Sequence, residues 1–375
     1  MKSAVDILLD LVAIPSVSQM SNEAVVEYAS RFFDRSRWNV ERHPYPDAAG
    51  VEKINLVATT RGGQAGAAEL ALVCHTDTVP YNGDWKEAVH PVVRNGKLYG
   101  RGSCDVKGFL ACVLHTAAGV DLARLSKPLA VVLTADEEIG CLGAKRLAAK
   151  KAIQARYIVV GEPTGLRAVY AGKGYALGEI VVRGVEAHSA FPGDGRSAIF
   201  DAARVVGRLE RVAAKLAARK NLAFDPPFTT LNVGLIHGGT AKNIVAGECR
   251  ITVEWRPVPG QDAGWAAGLI AQEIAALRKK FPGFDATLEV KRLDPPFEPS
   301  PTHRLVKIVE SLTRKKATAV SFGTEAAHLR MEGGEAIVFG PGDMSVAHKS
   351  GEYVPVKELA ACVTHLRAVV ARLCG

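Results

Sequence analysis

No two of the seven cysteines form a C-x-x-C motif, and their number is odd. They stand at 74, 104, 112, 141, 249, 362 and 374, with no repeated spacing. That excludes a disulfide framework and fits free thiols in a reducing compartment. No apolar run reaches membrane-spanning length. The opening stretch MKSAVDILLDLVAIPSVS carries Asp6 and Asp10 within its apolar part. A secretory leader would not hold two carboxylates there, so the stretch reads as a short amphipathic helix. A cytoplasmic protein with no membrane partner is expected. Aromatic residues are scarce, at 6%, and do not interleave with the basic ones. The net charge of +8 would suit an acidic partner. The basic residues are dispersed, however, over helix-like faces such as 145–156, so no nucleic-acid partner is expected. Tandem repeats and low-complexity segments are also missing.

What is present is ample material for a core. The chain has 375 residues, 48% of them hydrophobic and 23% charged. That is comfortable for two domains. INLVATT, ELALVC, PLAVVLTA and RYIVVG are short apolar runs rich in β-branched residues, and helical stretches such as KGFLACVLHTAAGV lie between them. Strands alternating with helices predict an α/β domain with a mainly parallel sheet. After GKG at 172–174 the pattern changes to alternating strands and two long amphipathic helices, an α+β unit. It ends at the proline-rich segment 293–301, and the α/β pattern then resumes. The expected organisation is a discontinuous α/β domain, 1–173 and 295–375, with an inserted domain over 174–294.

The chemistry gathers at strand ends. PLAVVLT runs into Ala135-Asp136-Glu137-Glu138-Ile139-Gly140, three acids following a buried strand. Adjacent carboxylates there need a helix start or a positive partner. Other strands end in His75 and Glu162, the segment after AIVFG reaches His348, and Asp105 sits in the glycine-rich GRGSCDVKG loop before a helix. Open α/β sheets bind ligands beyond the carboxyl ends of their strands. His75, Asp105, Glu138, Glu162 and His348 would converge there. Singly, each has an ordinary reading as a turn acid, a first-turn acid or a solvated histidine. Together, two imidazoles and three carboxylates suit zinc or a similar divalent cation, and two cations if one carboxylate bridges. Asp77, two residues after His75, is placed to accept the other imidazole N–H. Cys74 should point away from His75, into the core.

HTDTVP, GRGSCDVKG, ADEEIG, GEPTG, VEAHSAFP and GPGDMSVAHKSGEY occur in this order along the chain. As a set they resemble the dinuclear-zinc amidohydrolases and peptidases that include acetylornithine deacetylases, succinyl-diaminopimelate desuccinylases, aminoacylases and carboxypeptidase G. The likeness spans nearly the whole chain, and FGTEA with RPVPG is most similar to the acetylornithine deacetylase branch. The resemblance implies a zinc-peptidase-like catalytic domain holding two Zn2+, with Co2+ or Mn2+ as substitutes. It implies Asp105 as the bridging carboxylate, His75 and Glu162 completing one site, and Glu138 and His348 the other. It also implies Glu137 as general acid/base, Asp77 orienting His75, and a homodimer through the inserted domain whose His188 reaches the other subunit's site. Asn243 and Arg256 match substrate-lining positions. A guanidinium at Arg256 suits a substrate carboxylate. Glu325, with Thr324 beside it, could meet a side-chain ammonium or merely cap a helix.

The implied reaction is hydrolysis of an N-acyl amino acid, with N2-acetyl-L-ornithine giving L-ornithine and acetate in arginine biosynthesis. Deacylation of acetylcitrulline, acetyl-lysine or succinyl-diaminopimelate, a dipeptidase, and a metal-free binding protein are the alternatives. Four positions depart from the family pattern: Ala246 where proline is common, Glu254 in place of aspartate, and Ala327-His328 after FGTEA.

Overall fold

Three of these apolar runs, ELALVC, PLAVVLTA and RYIVVG, form with Glu335–Val338 the parallel centre of an eight-stranded sheet, and INLVATT flanks it antiparallel. In spatial order its strands are Trp38–Pro46, Glu52–Thr60, Leu129–Thr134, Ala67–His75, Gln154–Val160, Glu335–Val338, Val169–Gly172 and Thr318–Val320. The strand Ala67–His75 pairs in parallel with Leu129–Thr134 and with Gln154–Val160, which pairs in parallel with Glu335–Val338. Antiparallel pairs flank this centre. Parallel strands have both faces covered, which is why they read as unbroken apolar runs rather than alternations. Leu129–Thr134 is buried at every position.

The computed structural model describes residues 2–61, 67–298, 300–330 and 334–375. Pro299, in the expected linker 293–301, lies outside them. The chain divides into two compact units: Met1–Tyr170, Pro299–Thr318 and Thr324–Gly375 in one, Ala171–Glu298 and Ala319–Gly323 in the other. The boundaries expected at 173/174 and 294/295 differ from these by a few residues, and 319–323 groups with the second unit rather than the first.

In the first unit, helix Lys107–Gly119 is buried on nearly all sides and packs against Ala4–Ala13 and Val356–Cys374. Such a helix carries no polar face, as its sequence shows. Ser3 and Asp6 form a capping box at the start of Ala4–Ala13, whose Ile7, Leu8, Leu11 and Val12 are buried. Each fully buried side chain of this size contributes about 1.5–3 kcal/mol. Phe109 also shapes the site: a Cβ on Gly161 would come 2.2 Å from its ring. Only glycine lets the chain cross that ring and deliver Glu162.

The second unit is a four-stranded antiparallel sheet in the order Thr230–Gly238, Glu248–Arg256, Tyr175–Arg183, Asp285–Asp294. Helices Ala198–Ala217 and Trp265–Lys280 cover its apolar side, enclosing Ile180, Val205, Leu209, Ile251, Trp255 and Ile270. Ser197 caps the first of these helices by accepting from the Phe200 N–H. No helix among the described residues is long and apolar enough to cross a membrane.

Candidate metal centre

All four central strands of the first unit end at one edge, and the polar residues that follow them meet there. His75 closes its strand, 2% exposed. Its Nδ1 lies 3.0 Å from the Asp77 carbonyl oxygen, and its Nε2 lies 3.2 Å from Asp105 Oδ1. The other Asp105 oxygen lies 3.1 Å from His348 Nε2, which is 3.2 Å from Glu138 Oε2. One ligand atom each from His75, Asp105 and Glu162 lie within 4.8 Å of one another, and so do those of Asp105, Glu138 and His348. Asp105 is common to both groups. The first group is fully buried, and the second opens outward through His348. Cys74 lies in the core, on the opposite side of the strand from His75.

Burial disfavours charge on His75, but its bond to Asp105 and the charges of Glu137 and Asp77 outweigh this and push the imidazole well up. Bonds to Asp105 and Glu138 push His348 up to about 10. Burial acts to raise Asp105, yet its bonds to His348 and His75 hold it well below the usual carboxylate range. Burial, then Asp105, Glu137 and Glu138, push Glu162 well above that range. Carboxylates packed this closely need positive charge among them. Imidazole protons can supply it, and a divalent cation would supply it without them. Glu138 Oε1 is buried with no hydrogen-bond partner among the described residues. An orphaned carboxylate oxygen, imidazole nitrogens and shared carboxylate oxygens are the donor set of a borderline cation such as zinc. The residues fit one cation in each group, with Asp105 common to both.

The family model described as peptidase family M20/M25/M40 matches residues 71–372. The chain belongs to this family. It is 45% identical over 370 residues to an acetylornithine deacetylase of Myxococcus xanthus, covering 98% of this chain and 97% of that one. An acetylornithine deacetylase of Klebsiella pneumoniae (strain 342) is 35% identical over 379 residues, covering 96% and 97%. In fold the chain is similar to a tripeptidase of Staphylococcus aureus, with TM-score 0.79, 23% identity, and 99% and 97% of the two chains covered. An M20 family metallo-carboxypeptidase of Sulfolobus solfataricus gives TM-score 0.76 at 17% identity over 99% of each chain. These two likenesses show the fold alone.

The acidic triplet of this M20/M25/M40 chain is not a helix start, since the next helix is Leu142–Ala149. Asp136 takes a left-handed backbone, φ 59°, and begins a turn. Its fully buried carboxylate accepts from Tyr45 Oη at 3.0 Å and lies 3.2 Å from Lys53 Nζ. Lys53 is therefore the positive partner of the triplet's first acid. Glu137 is only partly exposed, and Cys141 Sγ donates to its Oε1 at 3.5 Å. Burial, then the charges of Glu138, Glu325 and Asp77, push its carboxyl up to about 8.

Asp77 differs from its expected geometry. Its Oδ1 is 3.7 Å from His75 Nδ1, and the imidazole bond goes to its backbone carbonyl instead. The carboxylate accepts from the N–H groups of Glu137 and Glu138, at 3.1 and 3.3 Å, and from Ser18 Oγ at 2.8 Å. Asp77 thus braces both His75 and the turn that carries two glutamates.

Thr324 and Glu325 are both buried, and Glu325 is 0% exposed. Its Oε2 accepts from Thr134 Oγ1 at 3.0 Å, and its side chain caps no helix. Its Oε1 is buried with no hydrogen-bond partner among the described residues. In the second unit His188 and Asn243 are exposed and adjacent: the Asn243 carbonyl accepts from Ser189 N, and His188 bridges Ile244. Arg256 stacks over Tyr175, 4.9 Å from the ring centroid, at the far end of strand Glu248–Arg256. At ~3.4 Å per residue the strand separates it from the Asn243 end by about 27 Å. Lys53, Cys141 and Glu352 were not singled out as site residues from sequence. Glu352 alone carried a signal, within GPGDMSVAHKSGEY.

Proposed function

We propose that the protein hydrolyses N2-acetyl-L-ornithine to L-ornithine and acetate, in the cytoplasm, as a step of arginine biosynthesis. The observation that carries this is the pair of ligand groups sharing Asp105, with Glu137 beside them, in a chain 45% identical to an acetylornithine deacetylase. His75, Asp105 and Glu162 would hold one divalent cation, and Asp105, Glu138 and His348 the other. In this reading both are zinc. When bound, they supply Lewis-acid polarisation of the amide carbonyl and a water acidic enough to be a nucleophile near neutral pH.

The chain's own residues do the rest. Glu137 accepts the proton of the attacking water as the C–O bond forms. It returns that proton to the amine nitrogen as the C–N bond breaks. Its partial exposure lets it turn between the two positions, while Asp77 fixes its backbone. Asp77 also holds His75 with Nε2 inward. Arg256 pairs with the substrate's α-carboxylate.

His188 and Asn243 stabilise the oxyanion. Their separation from Arg256 along one strand supports a homodimer in which they come from the second copy. The second unit is then the inserted dimerisation and lid domain. Its edge strand exposes Leu235 and Ile236, and Phe200 nearby in the unit is 70% exposed. An exposed apolar edge of this kind calls for a partner.

The burial of Glu325 favours one second reading, broader hydrolysis of neutral N-acetyl amino acids. The first reading is tested by stripping metal with a chelator and reloading with Zn2+ or Co2+. Acetylornithine hydrolysis should vanish and return. Hydrolysis that survives complete metal removal would sink the proposal.

A further inference from the structure

The loop that presents Asp105 is folded around another carboxylate of the same chain. Glu352 is 1% exposed. Its Oε1 accepts from the backbone N–H groups of Cys104 at 2.9 Å and Asp105 at 3.0 Å. Its Oε2 accepts from the Gly102 N–H at 3.1 Å and from Arg101 Nη1 at 2.6 Å. The Glu352 carbonyl accepts from Gly100 N at 3.1 Å. Successive N–H groups turned inward make an anion-binding concavity. Gly102, with φ 79°, supplies the left-handed turn that aims one of them. Here the anion is the protein's own.

Both sides of this clamp lead to the centre. Asp105, whose N–H is held, is the residue common to both ligand groups. Glu352 itself follows His348 closely in sequence. It precedes Tyr353, which pairs with Tyr99 in the small sheet of Val92–Arg94, Lys97–Tyr99 and Tyr353–Pro355. Glu352 therefore joins the Asp105 loop to the His348 segment. An ordinary buried ion pair would need only Arg101. Three of the four hydrogen bonds to the carboxylate come instead from the backbone that ends at Asp105.

We propose that Glu352 is a positioning residue for the two-cation centre. It sets Asp105 where one oxygen faces His75 and the other faces His348 and Glu138. The inference rests on the reading that these groups bind two cations. Groups that support metal ligands from behind typically carry ten- to a hundredfold in metal affinity.

The test is equilibrium dialysis of metal-stripped protein against Co2+, with bound metal counted and thermal melting of each metal-free variant recorded. Wild type should bind two ions. Absence of stoichiometric binding there would overturn the two-cation reading itself, before any variant is compared. Glu352→Gln keeps the shape but replaces one acceptor oxygen with an N–H2 that opposes the backbone donors. It should weaken at least one ion by tenfold or more. Arg101→Gln removes the ion pair and leaves the three backbone bonds, so its Co2+ affinities should stay within about threefold of wild type. If Glu352→Gln does not fold, Glu352→Asp carries the test: the charge remains, the reach is shorter, and a loss of at least threefold is expected with melting near that of wild type. Unchanged affinity in the folded Glu352 variant, or an equal loss in Arg101→Gln, would overturn the proposal.

Discussion

Replacing Lys53 with methionine isolates the support beneath the acidic turn. The Lys53 side chain is 1% exposed, and its ammonium donates to two backbone carbonyls and pairs with two carboxylates. These are the carbonyls of Ser18 and Met20, the second at 2.7 Å, and the carboxylates of Asp136 at 3.2 Å and Asp47 at 3.6 Å. Methionine fills the volume but leaves the buried Asp136 carboxylate, among the described residues, with Tyr45 alone. Breaking a buried pair from one side costs about 3–5 kcal/mol, and each stranded carbonyl adds ~1–3 kcal/mol that overlaps with it. A loss of about 4 kcal/mol is expected for Lys53→Met.

Asp136→Asn removes the other partner and should cost less, roughly 1–2 kcal/mol. Lys53 then keeps Asp47 and both carbonyls, and the amide oxygen can still accept from Tyr45. Urea denaturation of the metal-loaded protein measures both, and the double variant gives the coupling energy. Lys53→Met within about 1 kcal/mol of wild type, or a larger loss in Asp136→Asn, would mean that Lys53 does not hold the acidic turn.

Two further outcomes follow from the same geometry. Glu137→Gln should keep its bound metal and lose turnover by about a hundredfold or more; turnover near wild type by steady-state assay would end the acid/base role. If Arg256 and His188 of one site come from different copies, mixing inactive Arg256→Ala and His188→Ala should restore about a quarter of wild-type activity, since half of random dimers carry one intact site. No recovery after subunit exchange, in a mixture that mass spectrometry shows to be heterodimeric, would remove the shared-site reading.

The parts legible from sequence are those set by local periodicity. The runs at 69–74, 128–135 and 156–161 announce buried parallel strands, and residues at their ends are brought to one edge by topology alone. Strand Trp38–Pro46 went unread because Pro44, Pro46 and its charges resemble a loop. It tolerates them as an edge strand whose Tyr45 still reaches Asp136. Side-chain partners across long separations were less legible. Asp77 was expected at the imidazole by its spacing, but an approaching turn with two free N–H groups claims its carboxylate. Glu325 looked like a helix cap or a substrate contact. Its side chain caps no helix, and its carboxylate accepts from Thr134, a residue remote in sequence. Lys53 sits in an apolar strand, where nothing local says that Asp136 will need it.

What defines this enzyme is which amide it cleaves. The direct measurement is kcat/KM of purified, Zn2+-loaded enzyme for N2-acetyl-L-ornithine beside acetylcitrulline, N-acetyl-lysine, N-acetylmethionine and succinyl-diaminopimelate. Acetylornithine should give the highest value, by about tenfold or more, roughly 1.4 kcal/mol of transition-state discrimination. A higher value for any other member of the panel, or no hydrolysis of acetylornithine by the metal-loaded enzyme, would contradict the proposed function.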